Sequence, residues 1–191
     1  MTDETQSADR RVQRTRFALR DALISLLLKQ SWDDINIQNL CEQANVGRST
    51  FYMHFQNKEQ LLVSGFDDLS VGLRSHATIA INGRSESLPF LRGLIEHVYE
   101  QRTLFRAIIG RRSGHVVQKC FREMVNKLVE EEVLFPATGW QRDASSRYVA
   151  GALVELLAWW VDTGNDRTAD DIEHLFYQLT LPAIKQFSEK A

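Results

Sequence analysis

The segment that decides the fold is NIQNLCEQANVGRSTFYMHFQNKEQLL, residues 36–62 of 191. Apolar residues recur at helical spacing in two short runs on either side of Asn45. Asn36 can cap the first run with its side-chain oxygen, and Asn45 tolerates the left-handed backbone that ends such a helix. In the second run Phe51 and Phe55 lie four residues apart and share one face, which we expect to be buried. The segment therefore predicts two short helices joined by a tight turn.

The other residues of the second helix are mostly polar and suit contacts with DNA. A recognition helix places its N-terminal side chains against base edges, so we expect Arg48 to pair with guanine. Ser49 and Thr50 can meet bases or phosphates, whereas phosphate contacts by Tyr52 and His54 would position the helix. The full set of predicted DNA contacts is Arg48, Ser49, Thr50, Tyr52, His54, Lys58, Asn36, Gln38, Arg11 and Arg14.

A basic stretch precedes this segment. Residues 10–20 read RRVQRTRFALR, with five arginines and no acid. The whole chain has a net charge of −2, so a nucleic-acid binder of this composition needs such a local patch. We therefore expect Arg11 and Arg14 to contact the DNA backbone. Taken alone, the patch is equally typical of a solvated helix face.

The rest of the chain also predicts helices. It has no sustained alternation of apolar and polar residues, and only three prolines and ten glycines. The predicted fold class is all-α, with about nine helices. We divide it into a three-helix helix-turn-helix DNA-binding domain, residues 1–56, and a helical dimerisation and ligand-binding bundle, residues 57–191.

Three further helix ends follow from capping residues. Ser87, with Pro89 just inside, predicts the start of the fifth helix. Thr168 and Asp171 form a capping-box-like pair at the start of the ninth, and Pro182 should kink or shorten its end.

Composition and spacing argue against several other classes of protein. Cys41 and Cys120 are far apart and have no metal-ligand spacing, so we expect reduced thiols in a cytoplasmic protein, with no metal and no cofactor. The N-terminus has no apolar run typical of a signal peptide. The longest apolar run, residues 148–161, contains Glu155 and is shorter than the roughly 20 residues of a membrane span. No constellation of catalytic residues favours an enzyme.

The run YVAGALVELLAWWV, residues 148–161, is apolar almost all round, so we expect this eighth helix to be buried on several sides. A second copy of the chain would provide that cover and form a four-helix interface with the ninth helix. The predicted interface residues are Val149, Leu153, Leu156, Trp160, Leu175, Phe176 and Leu179. The alternative is a central helix in a monomeric bundle.

The order Val46, Thr50-Phe51-Tyr52, His54-Phe55, Lys58 and Leu61 resembles the signature of the tetracycline-repressor (TetR) family. With the arginine-rich helix before it, the resemblance covers residues 10–62. It implies a two-fold dimer whose recognition helices lie about one DNA turn apart, about 34–36 Å, facing a palindromic operator. It also implies a ligand in the C-terminal domain that alters DNA affinity. Candidate ligand contacts are Phe66, His97, Phe105, Phe121 and Trp159.

The sequence departs from the family pattern at three positions of the turn and recognition helix. Asn45, Gly47 and Ser49 stand where the family commonly has glycine, serine and glycine. Because Gly47 lacks the hydroxyl that often reaches phosphate in relatives, that contact is not expected here, whereas Ser49 can add one.

These observations predict a homodimeric, sequence-specific transcriptional regulator, by default a repressor that a small-molecule effector modulates. The alternatives are an activator of the same fold, a dimeric interaction module that does not bind DNA, and a helical hairpin whose aromatic residues are core. A helical-bundle enzyme is a further alternative that no motif supports.

Overall fold

The computed structural model describes residues 3–80, 88–109, 114–132, 139–164 and 166–188. In these ranges the regular structure is entirely helical, which confirms the all-α prediction and the count of nine α-helices. The helices are α1 (Asp3–Leu27), α2 (Ile37–Ala44), α3 (Arg48–His54), α4 (Lys58–Ala80), α5 (Pro89–Glu100), α6 (Arg102–Ile109), α7 (His115–Glu132), α8 (Trp140–Thr163) and α9 (Ala169–Ser188), with a 3₁₀ turn at Trp32–Asp34.

The chain packs into two units, residues 1–65 and 66–191. This division differs from the predicted boundary at 56/57. The reason is that α4 begins at Lys58 and contributes Leu61 and Leu62 to the interior of the first unit, where both are buried. The start of α4 therefore belongs with the helix-turn-helix.

In the second unit, α8 packs against α6, α7 and α9. Trp160 of α8 is fully buried, and its ring stacks on that of Tyr99 with the centroids 5.7 Å apart. The indole Nε1 of Trp160 donates to the carbonyl oxygen of Arg167 at 3.1 Å. The largest fully buried side chain among the described residues is thus packed and hydrogen-bonded within one chain.

The burial of α8 corrects part of the predicted dimer interface. Val149, Leu153, Trp160 and Phe176 are at most 2% exposed in the single chain, so they cannot contribute surface to a partner. Of the remaining predicted interface residues, Leu156 is half-buried, and Leu175 and Leu179 are exposed. The apolar character of α8 therefore reflects mainly contacts with its own chain.

Two arginines of α6 hold the C-terminal end of α8. Arg106 donates from Nε and Nη2 to the carbonyl oxygen of Val161 at 2.8 and 2.5 Å. Arg102 donates to the carbonyl oxygen of Trp160 at 3.2 Å, with its guanidinium over the Trp160 ring. Carbonyls in the last turn of a helix lack helical partners, so these bonds cap α8.

Most of the predicted ligand contacts form a continuous aromatic cluster. Phe66 contacts Phe121, Phe121 contacts Phe105, and Phe105 contacts His97, with centroid separations of 5.8, 5.8 and 5.5 Å. The three phenylalanines are buried, and burial lowers the pKa of His97. These rings pack on one another in the interior of the second unit, and their contact with a ligand stays a prediction. Trp159 lies outside this cluster.

The predicted helix ends have mixed outcomes. Pro89 is at the start of α5 as predicted, but the capping position is Leu88, and Ser87 lies outside the described residues. The backbone N–H of Leu88 donates to the Tyr177 hydroxyl at 2.9 Å. Pro182 does not end α9, which continues to Ser188.

No helix in the described ranges is long and apolar enough to span a bilayer.

Candidate nucleic-acid interface

The turn between α2 and α3 forms as the sequence predicts. Asn36 caps α2: its Oδ1 accepts the backbone N–H of Asn39 at 2.9 Å, and the Asn39 side chain accepts the N–H of Asn36 in return. Asn45 adopts the left-handed conformation, with φ 53° and ψ 47°. The N–H of Val46 then donates to the carbonyl oxygen of Cys41 at 3.0 Å, which closes the turn.

Helix α3 is anchored by Phe51 within it and by Phe55 directly after its last residue. Phe51 and Phe55 are buried, with ring centroids 5.9 Å apart. Gly47 occupies the capping position with ordinary extended backbone and no side-chain bond, so nothing strained holds the helix start. The inward face predicted from the four-residue spacing is confirmed.

The edge of α3 formed by its N-terminal residues and by the sides away from the two phenylalanines is open to solvent. Arg48, Ser49 and Tyr52 are exposed, and Thr50 and His54 are half-buried. No other part of the described chain covers this edge. It offers a guanidinium, hydroxyls and an imidazole, which are groups that bind bases and phosphates.

Met53 is a feature of this edge that polarity alone does not identify. Its side chain is 81% exposed, the most exposed of the large apolar side chains among the described residues. An apolar group on a recognition helix can contact the methyl group of thymine in the major groove. Its position, two residues after the buried Phe51 and two before Phe55, is the sequence signal that places it outward.

Lys58 has a structural role that the sequence analysis did not anticipate. Its Nζ donates to the carbonyl oxygens of Trp32 and Ile35, each at 2.8 Å, and lies 4.6 Å from the centroid of the Trp32 ring. An ammonium has three donors, so at most one is left for a phosphate. The predicted phosphate contact of Lys58 therefore stays a prediction, with at most one N–H of the ammonium left to make it.

Asn36 and Gln38, the predicted contacts on α2, are exposed but already engaged. The Oδ1 of Asn36 is used in the cap, which leaves its amide nitrogen. The Gln38 amide donates to the carboxylate of Glu42 at 2.9 Å, so a negative charge lies beside this side chain. Their contacts with DNA also stay predictions.

The arginines of α1 divide into two groups. Arg11 and Arg14 are exposed, as the prediction of DNA contacts requires. Arg16 lies over the Phe55 ring at 5.2 Å and Arg20 over the Phe17 ring at 5.0 Å. Burial lowers the pKa of Arg20. The C-terminal arginines of the patch therefore pack on aromatic rings, and the N-terminal ones carry its exposed charge.

In the part of the chain that the structure describes, no three His, Cys, Asp or Glu side chains cluster in a way that could hold a metal ion. Cys41 of α2 is buried, and burial raises the pKa of its thiol. The arrangement can therefore bind and position a polar partner through hydrogen bonds and charge.

Two family models match this chain. Residues 19–64 match "Bacterial regulatory proteins, tetR family", and residues 85–181, just over half of the chain, match "Transcriptional regulator C-terminal region", which is the TetR C-terminal model. The first match contains the helix-turn-helix, and the second contains α5 to α8 and most of α9.

A curated relative is the uncharacterised HTH-type transcriptional regulator YxbF of Bacillus subtilis (strain 168). It is 25% identical over 181 residues, which are 92% of this chain and 47% of the relative. The chain thus spans about half the length of the curated relative that it matches.

Solved structures share the fold over nearly their whole length. A TetR transcriptional regulator from Streptococcus agalactiae 2603V has a TM-score of 0.65 at 24% identity, covering 92% of this chain and 98% of that one. NalD from Pseudomonas aeruginosa has 0.63 at 19%, covering 90% and 96%. The dihydroxyacetone kinase operon activator DhaS has 0.57 at 21%, covering 91% and 97%. With both family models matched in order along one all-helical chain, this protein belongs to the TetR family of bacterial transcriptional regulators.

Proposed function

We propose that this protein is a cytoplasmic homodimer that binds a palindromic operator in double-stranded DNA through α3 and represses transcription until a small-molecule effector binds. The observation that carries the proposal is the division of α3. Phe51 and Phe55 are buried, while Arg48 at the start of the helix and Ser49 and Tyr52 on its other sides face solvent. A helix with this division can enter the major groove without unfolding any part of its own unit.

The exposed arginines of α1 support the same proposal. Arg11 and Arg14 carry positive charge on the unit that contains α3, in a chain whose net charge is −2. Cations that neutralise phosphates release counterions from DNA, so binding through them weakens as salt rises. This charge would supply affinity, and α3 would supply specificity.

A homodimer is supported by apolar side chains that the single chain leaves uncovered. Leu175 and Leu179 are exposed on one face of α9, and Leu156 is half-buried on α8. Apolar surface of this kind gains free energy when a second copy covers it. A two-fold axis would then present two copies of α3 to a symmetric operator.

The sign of regulation is the finer part of the proposal. NalD is described as the secondary repressor of the MexAB-OprM multidrug efflux pump, and DhaS as an operon activator, and both have this fold. Repression is proposed because occupancy of an operator alone can block transcription, whereas activation needs an additional contact. A reporter under the protein's own upstream DNA should rise when the gene is deleted; a fall would replace repression by activation.

The DNA-binding proposal is tested by anisotropy titration of the full-length protein against its own upstream DNA and against a scrambled duplex, at several salt concentrations. We expect the upstream DNA to bind at least about 1,000-fold more tightly, the lower end for specific sites. Arg147→Ala, which removes an exposed arginine on α8 in the second unit, is the control and should bind both duplexes as the wild type does. Equal affinity for both duplexes at every salt concentration contradicts the proposal.

A further inference from the structure

Met53 presents an apolar side chain to solvent among the polar residues of α3. It is 81% exposed, whereas Phe51, two residues earlier in the same helix, is fully buried. At 3.6 residues per turn, two residues are separated by about 200° around a helix, so Met53 lies on the side away from Phe51. Packing within the single chain therefore does not account for an apolar residue at this position.

Met53 shares a face of α3 with polar residues that are predicted to contact DNA. Ser49 precedes it by four residues and Tyr52 follows Ser49 by three, so the three side chains are neighbours on the helix surface, and all three are exposed. A partner that covers Met53 must also meet a hydroxyl and a phenol. The same unit carries the exposed cations Arg11 and Arg14, which attract a polyanion. These neighbours favour DNA over an apolar protein surface as the partner of Met53.

The thioether of methionine limits which part of DNA the side chain can contact. Its sulfur is a weak hydrogen-bond acceptor and has no proton to donate to a phosphate oxygen. Among the base edges in the major groove, the C5 methyl group of thymine is the apolar feature. Methionine is unbranched and flexible, so it can adapt to the position of a small apolar group. A thymine methyl group is thus the part of DNA whose chemistry matches Met53.

We propose that Met53 is a specificity-determining residue, which contacts the C5 methyl group of a thymine in each half-site of the operator. The contact would favour thymine over cytosine, whose C5 carries only hydrogen, at one symmetric pair of positions. The inference rests on the proposed function, because it names a base that the proposed recognition helix reads. It does not depend on the sign of regulation or on an effector.

The test compares DNA duplexes that differ only in methyl groups. The full-length protein is titrated by anisotropy against its specific upstream duplex and against versions in which one symmetric pair of thymines is replaced by deoxyuridine. Deoxyuridine keeps the hydrogen-bonding groups of thymine but lacks the C5 methyl group. We expect one such pair to weaken wild-type binding by about 15-fold, because burial of a methyl group contributes roughly four-fold at each of the two half-sites.

Variants of Met53 assign the contact to this side chain. Met53→Ala should bind the deoxyuridine duplex and the thymine duplex equally to within about two-fold, the usual scatter of such a cycle. Met53→Leu keeps an apolar side chain of similar volume and should retain most of the preference. The matched control is Leu28→Ala, at an exposed leucine of the same unit, which should show the full wild-type preference. Both positions are exposed, so every variant should keep the wild-type melting temperature.

Two results would overturn the inference and leave the proposed function intact: specific binding that no deoxyuridine pair weakens, or a deoxyuridine effect that is the same for wild type and Met53→Ala. Light scattering on the same samples tests whether a second copy of the chain covers Met53. A fall in mass for Met53→Ala, with an unchanged deoxyuridine effect, would assign this side chain to a protein interface. Equal affinity for the upstream and scrambled duplexes would instead refute the proposed function, and the inference with it.

Discussion

At the scale of single residues, Lys58 shows that a charged side chain predicted to contact phosphate can also hold the fold together. Its ammonium donates to the carbonyl oxygens of Trp32 and Ile35 and lies over the Trp32 ring. These carbonyls belong to the connection between α1 and α2. Hydrogen bonds from a charged donor are among the stronger ones, so Lys58 ties the start of α4 to that connection.

Replacement of Lys58 by Met should therefore destabilise the protein in the absence of DNA. Methionine keeps the apolar stem over Trp32 but removes the charge and both hydrogen bonds. We expect a loss of about 2 kcal/mol in the free energy of unfolding, measured by urea denaturation. The control is Lys29→Met, which removes an exposed lysine just after α1. Equal stabilities for the two variants would refute the structural role.

Local sequence chemistry predicted the residues of the turn but not the partners of Lys58. Asn36 and Asn45 act on backbone within a few residues, and Phe51 and Phe55 follow helical spacing, so their roles are readable from the sequence. The partners of Lys58 lie more than 20 residues away and form only when the helices pack. A lysine at the start of a helix looks the same in the sequence whether it binds phosphate or backbone carbonyl oxygens.

At the scale of helices, the ends of α8 and α9 are fixed by different devices. The α8 end is capped by Arg102 and Arg106 of another helix. The α9 start is capped by its own residues: Thr168 and Asp171 exchange backbone N–H bonds at 2.9 and 3.2 Å, as the capping box predicted. The spacing of Thr168 and Asp171 predicted the α9 cap, whereas the α8 cap forms only when α6 packs against α8.

Removal of the α6 cap should loosen the second unit. Arg106→Met removes two bonds to the carbonyl oxygen of Val161, and we expect the free energy of unfolding to fall by about 1–2 kcal/mol. Native-state hydrogen exchange should speed up most at the C-terminal end of α8. Arg147→Met, an exposed α8 arginine, should leave both quantities near their wild-type values. Unchanged exchange in the last turn of α8 would argue against the cap.

The α9 cap should make stability depend on acid pH. Backbone and side-chain hydrogen bonds from Thr168 lower the pKa of Asp171 below its ordinary value of 3.8. A carboxylate with a lowered folded-state pKa stabilises the fold above its unfolded pKa and loses that effect as pH falls through the folded pKa. The melting-temperature difference between wild type and Asp171→Asn should therefore be largest above pH 3.8 and shrink below it. A difference that is constant across this range contradicts the linkage.

The apolar pattern of α8 predicts that the helix is buried but not which chain buries it. A helix that is apolar on nearly all sides must be buried, but the pattern does not distinguish its own chain from a partner. The residues predicted to meet a second copy, including Leu153 and Trp160, are buried by neighbouring helices of the same chain. On α9 the structure separates residues that were predicted together, because Leu175 and Leu179 are exposed whereas Phe176 is buried.

At the scale of the whole molecule, the two units divide the proposed work. The first holds α3 and the exposed arginines, and the second holds the exposed leucines of α9. Symmetry would connect these tasks, because one dimer binds two half-sites at once and gains the effective concentration of a linked pair. Loss of dimerisation should then reduce operator affinity without altering α3.

A charge on the outer face of α9 tests this connection. Leu179 is 65% exposed in the single chain, so Leu179→Asp should cost little folding free energy but raise the dimer dissociation constant by about ten-fold or more. Light scattering measures the mass, and anisotropy measures operator affinity, which should fall with dimer content. Leu28→Asp, at an exposed leucine after α1, is the control for dimerisation. A wild-type protein that is monomeric at micromolar concentration would contradict the dimer proposal.

The most direct test of the central claim is selection of bound sequences from a random DNA library by the wild-type protein and by Arg48→Ala. We expect the wild type to enrich a palindrome whose half-sites lie about one helical turn apart, about 10–10.5 base pairs centre to centre. Arg48→Ala should retain the palindrome but lose preference for guanine at one symmetric pair of positions. No enriched sequence, or an identical site for both proteins, would contradict the account of α3 as the helix that reads DNA.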